Sequence, residues 1–374
     1  MPRMFDILRG KGGDNSPEKK KEEPSYDEFP QIKKKDEIQG PKSYPLSFPK
    51  NILAMEVKKE AAPEDHSIVS KKLICAVKQR GVDNQERARQ IYENAVETIK
   101  TLLGKARAGE DLYEYMDKLH ELLDDVFNQL MMGDNLLNEI YEEAKEEYYL
   151  PYHIVNVLVL SSVLGLSMGF NKSRLSHLGL ACIFHDLGMD LMKDFVNQPK
   201  TLTKENYEVV KTHISRSLEI AGSISILSGV VKETIATHHE RASGKGYPRG
   251  IRSDDINPYA KILGLVDTYE AMTHTRPYRE RINTRKAVRS LIGPLKNDFD
   301  TDVMKFFINK MSVYPIGSIV KLDTGDMARV ISVQPGSPLR PVVMVFRDSR
   351  GENITDMTII DLFKQDFPSI KDSV

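Results

Sequence analysis

Cysteine is scarce in this chain. Two residues, Cys75 and Cys182, among 374 cannot build a disulfide framework, and a reducing cytoplasm is the expected setting. A surplus of one charge is also missing. The net charge is -1, so no bulk field draws the chain to nucleic acid. Long apolar runs are absent too. The longest, IVNVLVLSSVLGLSMGF from Ile154, is broken by Asn156, serines and glycines. It falls short of the roughly 18 to 20 residues that span a bilayer, so no membrane span is expected. No apolar segment with a small-residue cleavage site follows the basic N-terminus, which argues against export. What remains, 40% hydrophobic and 29% charged residues, suits a globular protein of two or three compact units.

Four regions follow from the pattern. Residues 1–50 are rich in Lys, Glu, Pro and Ser and cannot bury enough apolar surface to offset ordering entropy, so they read as a charged tail or linker. Within them Phe5, Ile7 and Leu8 stand among Arg3, Arg9 and Lys11, as a docking peptide or as a frayed terminus. Residues 51–148 read as a helical region, although 51–80 show no clear period. Ala88, Ile91, Ala95, Ile99 and Leu102 recur at three- and four-residue steps, as do Leu112, Met116, Leu119, Leu123 and Phe127. Gly109 and Gly133 separate these segments, and NLLNEIYEEAKEEYY predicts a third helix. Residues 149–312 read as all-helical. Residues 313–374 form a small β-unit, because GSIVKLDTGDMARVISV alternates on either side of Thr324-Gly325-Asp326 and predicts a hairpin in a compact barrel. The fold class is thus mainly α, a helical bundle with a β-barrel-like unit at its C-terminal end.

The chemistry is concentrated in the third region. CIFHDLGM and THHERASGKGYPRG place His185, Asp186, His238 and His239 at predicted helix ends, and His153, His213 and Asp267 belong to the same segment. Helices that each donate His or Asp to a shared core can hold two metal ions. Imidazole mixed with carboxylate oxygen suits iron, manganese or zinc. Asp186 can bridge two ions through its two oxygens, and two ions about 3.5–4 Å apart suit phosphoryl transfer. Gly244 and Gly246 allow a tight loop that turns Tyr247 toward the pocket. Arg276 and Arg279 follow Asp267, and guanidinium suits bidentate phosphate binding.

From His153 to Met311 the order of HIVNVLVLSSVLG, GLACIFHDLGM, LTKENYEVVKTHISRSLEI, ATHHERASGKGYPRGI and AKILGLVDTYEAMTHTRPYR resembles the HD-GYP family of HD-domain phosphohydrolases. The resemblance implies a helical domain that binds two or three metal ions, commonly iron or manganese. It also implies hydrolysis of cyclic di-GMP, or a related cyclic dinucleotide, to the linear dinucleotide and onward to GMP. His153, His185, His213, His238, His239 and Asp267 match the family's metal positions, and Asp186 its bridging, catalytic aspartate. Tyr247 matches the tyrosine of its GYP motif, and Arg276 and Arg279 match positions that contact substrate phosphate. Two departures stand out. Met189 replaces the usual lysine of the HD motif, which removes an ammonium from beside the phosphate. Tyr149 stands where some members carry a glutamate for a third metal, leaving Glu146 or Glu147 to reach in and favouring two ions.

The resulting expectation is a cytoplasmic phosphodiesterase with two divalent first-row ions, most readily iron or manganese. The rival is a catalytically weak or inactive cyclic-dinucleotide receptor or adaptor on the same fold, working through protein partners. The helices before residue 148 offer a homodimer surface without a clear heptad.

Overall fold

The computed structural model describes residues 66–133, 135–140, 148–193, 197, 203–277, 279–310, 314, 318–333, 340–364 and 367–373. The charged tail, the segment around Phe5 and the pair Glu146 and Glu147 lie outside the described residues. Residues 79–374 fall in one compact unit.

Helix α1 (His66–Ala108) runs back through Gly81 into the stretch that has no clear period. Ala88, Ala95, Ile99 and Leu102 are buried, as their spacing predicts. The helix stops at Gly109, whose φ of 70° lets two terminal carbonyls find donors. Gly109 N–H donates to the Ala106 carbonyl at 3.1 Å, and Glu110 N–H to that of Lys105 at 3.0 Å. A 3-10 turn, Tyr113–Tyr115, leads into α2 (Met116–Met132), which buries Met116, Leu119, Leu123 and Phe127. Of the third helix expected before residue 148, the described part is α3 (Asn135–Glu139).

The centre of the bundle is α4 (Leu150–Ser167), with Pro151 in its first turn, where a missing N–H costs nothing. Apolar residues lie on every side of it, as on an enclosed helix, with His153 and Asn156 among its buried residues. At 18 residues it is long and apolar enough to cross a bilayer, yet 83% of it is buried inside the protein. Around it pack α5 (Lys172–Phe184), α10 (Pro258–Thr273) and α12 (Thr301–Lys310). The remaining helices among the described residues are α6 (Leu187–Asp190), α7 (Lys204–Lys211), α8 (His213–Ser223), α9 (Gly229–Thr237) and α11 (Thr284–Ile292). Asn171, Thr203 and Asn257 cap α5, α7 and α10 by accepting the backbone N–H groups of Arg174, Asn206 and Ala260.

The β-unit comprises β1 (Ile319–Leu322), β2 (Met327–Ser332), β3 (Val342–Arg347), β4 (Asn353–Asp361) and β5 (Ile370–Ser373). The strands are antiparallel in the order β4-β3-β2-β1-β5. Val320, Leu322, Ala328, Val330, Val343 and Val345 point into its core, following the period-2 alternation. The predicted hairpin turn is present, with Gly325 at φ 95°. The barrel is not. Closure requires the outer strands to pair, and β4 and β5 instead form opposite edges of an open sheet among the described residues.

Candidate metal centre

Helix ends build this site. His185 and Asp186 follow the last turn of α5, His213 opens α8 just beyond α7, and His238 and His239 follow α9. The last carbonyls of a helix lack intrahelical donors. Three histidines use them. His185 Nδ1 donates to the Cys182 carbonyl, His213 Nδ1 to Val210 and His238 Nδ1 to Ile235, each at 2.7 Å. A neutral imidazole that donates through Nδ1 presents a lone pair at Nε2. The local fold therefore turns three basic nitrogens toward one point.

Two aspartates meet them. Asp186 Oδ2 lies 3.4 Å from His153 Nε2 and 3.7 Å from His185 Nε2. Its other oxygen, Oδ1, lies 3.3 Å from His213 Nε2 and 4.0 Å from His238 Nε2. Each oxygen thus faces a different set of imidazoles. Asp267, on α10, sits 3.4 Å from His153 Nε2 through Oδ1 and 3.8 Å from His239 Nδ1 through Oδ2. Two donor groups share Asp186, namely His153, His185 and Asp186, and Asp186, His213, His238 and His239. All seven residues read from the sequence as metal ligands are brought together.

The donor chemistry fits a cation. His185 Nε2 is buried with no hydrogen-bond partner. His213 Nε2 lies 3.5 Å from His238 Nε2 and 3.2 Å from His239 Nε2, so lone pairs converge where a cation would relieve them. Burial, with the neighbouring His185 and His213, pushes the His238 imidazole down to about 3. Burial and then His238 push His239 well down in the same direction. Burial alone would raise the Asp186 carboxyl, but His185, His213 and His153 hold it well below the usual carboxylate range. These clusters of converging imidazole nitrogens and carboxylate oxygens could hold metal ions.

The GYP loop closes one side. Tyr247 stacks on His239 with centroids 4.7 Å apart and planes at 23°. Gly246 has to be glycine, since a Cβ there would come within 2.4 Å of Glu240 Cα and Arg241 N. The buried Glu240 carboxylate accepts the N–H groups of Arg249, Gly250 and Ile251, and so fixes the loop exit. Lys211 stands beside the loop, its Nζ 5.3 Å from the ring centroids of both Tyr207 and Tyr247.

The two arginines read as phosphate contacts are held by protein groups. Arg276 is buried and donates to Glu270 Oε2 at 2.7 Å, with its guanidinium 4.1 Å over the Tyr149 ring. Arg279 donates to the Glu280 carbonyl at 2.9 Å and to the carbonyl of Ala271 near the end of α10. Met189 is 8% exposed and belongs to the apolar core. Next to it, Asp190 is held by Arg107 of α1 through bonds of 2.8 and 2.9 Å, and by the Tyr148 hydroxyl.

Sequence reasoning missed Glu270, Gly188 and Gly264. Glu270 lies three residues after Asp267, on the same face of an apolar helix, and that spacing was a usable signal. The two glycines allow close approach. A Cβ on Gly188 would stand 2.3 Å from the His213 carbonyl oxygen, and one on Gly264 2.4 Å from that of His238.

Residues 135–303 match the HD domain model, and residues 319–374 match the KOW domain associated with HD domain. A cyclic di-GMP phosphodiesterase of Pseudomonas aeruginosa is 26% identical over 275 residues, covering 73% of this chain and 65% of that protein. The cyclic di-GMP phosphodiesterase PdeB of Borreliella burgdorferi is 30% identical over 192 residues, covering 51% of this chain and 50% of that protein. The chain thus spans between half and two thirds of the length of these relatives. An HDG"Y"P protein from Bdellovibrio bacteriovorus shares the fold, with a TM-score of 0.50 and 17% identity over 60% of this chain and 71% of that one. The HD-domain match lies over the histidine-bearing helices, and through it the chain is similar to cyclic di-GMP phosphodiesterases and to an HDG"Y"P protein.

Proposed function

We propose that this chain is a metal-dependent phosphodiesterase that opens cyclic di-GMP, or a related cyclic dinucleotide, to the linear form and then to GMP. The observation that carries the reading is the division of Asp186, with Oδ2 toward His153 and His185 and Oδ1 toward His213 and His238. On this reading His153, His185 and Asp186 hold one first-row ion, iron or manganese, and Asp186, His213, His238 and His239 hold a second. Asp267 reaches one histidine of each group. Bound cations of this kind stabilise charge on phosphate oxygens and acidify water. The protein's own groups do the rest. Asp186 stays ionised among its imidazoles, so the centre retains an anion between the two ligand sets. Tyr247 covers the face of His239, and burial keeps its phenol protonated, as a hydroxyl donor at the rim.

The decisive experiment supplies iron or manganese during purification, measures metal per chain and follows cyclic di-GMP to its linear product. About two ions per chain and a linear product are expected. Tight binding of cyclic di-GMP without turnover under both metals would replace the enzyme by a receptor.

Position 189 supplies no cation, and Lys211 stands where one is useful, over Tyr247. Its ammonium is shared with Glu208 at 2.7 Å, on a partly exposed face. Lys211→Met is expected to raise KM for cyclic di-GMP about five-fold, since an exposed charge contributes about 1 kcal/mol. The metal content should be unchanged. An unaltered KM would remove Lys211 from the substrate path.

A further inference from the structure

Four imidazoles present Nε2 to Asp186, and one is oriented differently from the others. His185, His213 and His238 each donate Nδ1–H to a main-chain carbonyl. His153 lies inside α4, where the carbonyls serve the helix, and it turns to a side chain. Its Nδ1 is 2.5 Å from Glu270 Oε2, and both residues are buried. A nitrogen and a carboxylate oxygen this close share a proton, so Nδ1 donates to Glu270 and Nε2 is turned toward Asp186 and Asp267.

Glu270 is itself held on both oxygens. Arg276 Nη2 donates to Oε2 at 2.7 Å and lies 3.0 Å from His153 Nδ1, so both donors converge on that one oxygen. Asn156 Nδ2 donates to Oε1 at 3.1 Å, and the Tyr92 hydroxyl of α1 donates to Asn156 Oδ1 at 2.7 Å. His274 Nδ1 lies 3.3 Å from Oε1. A chain of side chains therefore runs from α1 through α4 and α10 to one nitrogen of the site.

We infer that Glu270 is the positioning residue of His153, fixing its Nδ1–H tautomer and ring, and that Arg276 acts at this site through Glu270. The inference rests on the reading that these imidazoles hold metal ions. Its consequence is an asymmetric centre. The donor group containing His153 depends on a side-chain network that mutation can reach, whereas His213 and His238 of the other group are set by main chain. Outer partners of metal-binding histidines are typically worth about 10- to 100-fold in affinity.

The test is a competitive metal titration against a chelator, with elemental analysis and thermal unfolding of the metal-free protein. Glu270→Gln keeps the size and removes the charge that His153 and Arg276 share. One of the two ions is expected to bind 10- to 100-fold more weakly, with the other unchanged. Tyr92→Phe removes one hydroxyl at the far end of the chain and does not threaten folding. It is expected to weaken the same ion by about three-fold, a small fraction of the direct effect. A merely structural role would lower the melting temperature and leave affinity alone. If wild type binds two ions and a folded Glu270→Gln protein binds both as tightly, the positioning role is overturned and the functional reading stands. If Glu270→Gln does not fold, Tyr92→Phe decides: selective weakening supports the role and unchanged affinity overturns it. A wild type that takes up no metal overturns both.

Discussion

Asp186→Ala is expected to lose at least one metal ion and to lower turnover by on the order of 10³-fold or more, the upper range for removing one preorganised electrostatic contact. The size follows from position. One carboxylate lies within 4.0 Å of a ring nitrogen on each of four imidazoles, His153, His185, His213 and His238. Its removal leaves buried nitrogens facing one another with no anion between them. The fold should survive, because Asp186 precedes α6 without making a side-chain cap. Circular dichroism, elemental analysis and product formation together check the result. Retained turnover with unchanged metal content would reduce Asp186 to a neighbour of the centre.

Gly188→Ala comes second in expected effect, and it acts without touching a ligand atom. The added methyl would lie 2.3 Å from the His213 carbonyl and 2.8 Å from Ser217 N, and main chain cannot swing aside as a flexible side chain can. Overpacking of this kind costs about 1–3 kcal/mol, and backbone on the receiving side puts this case at or above the top of that range. Moving α8 away also carries His213 out of reach of Asp186. Gly188→Ala should therefore lower both thermal stability and metal content. Gly104, in α1, has nothing within 4 Å of its Cβ position and serves as the control. Gly104→Ala should stabilise by about 0.5–1 kcal/mol, the helical preference for alanine. A Gly188→Ala protein with unchanged melting temperature and two bound ions would refute the close-packing argument.

Much of this was legible in the sequence. The spacing of Ala88, Ala95, Ile99 and Leu102 showed one face of α1, and that face is buried. The strands around Thr324-Gly325-Asp326 were visible from their alternation. The histidines and aspartates stood out because ligand chemistry restricts residue type, and the structure brings all seven together. Partners distant in sequence were not legible. Glu270 looked like one more polar residue on α10 until the fold placed it against His153, 117 residues away. Arg276 shows the same limit from the other side. Its residue type suggests a phosphate, and its bond to the buried Glu270 is visible only in the fold. Gly188 and Gly264 had no side chain to notice, and their constraint exists only in three dimensions. Closure of the sheet depended on the pairing of its last strand, which alternation does not specify.

Helix α4 has a further consequence, for how the protein fails. It matches a bilayer-crossing segment in length and hydropathy but is enclosed by other helices. His153 and Asn156 are buried polar residues on this helix, and both are tied to Glu270 of α10. The candidate metal site and its supports therefore also latch the most apolar helix in place. A chain that opens at this latch presents an 18-residue apolar surface to its neighbours, and exposed segments of that kind drive misassembly at ordinary concentrations.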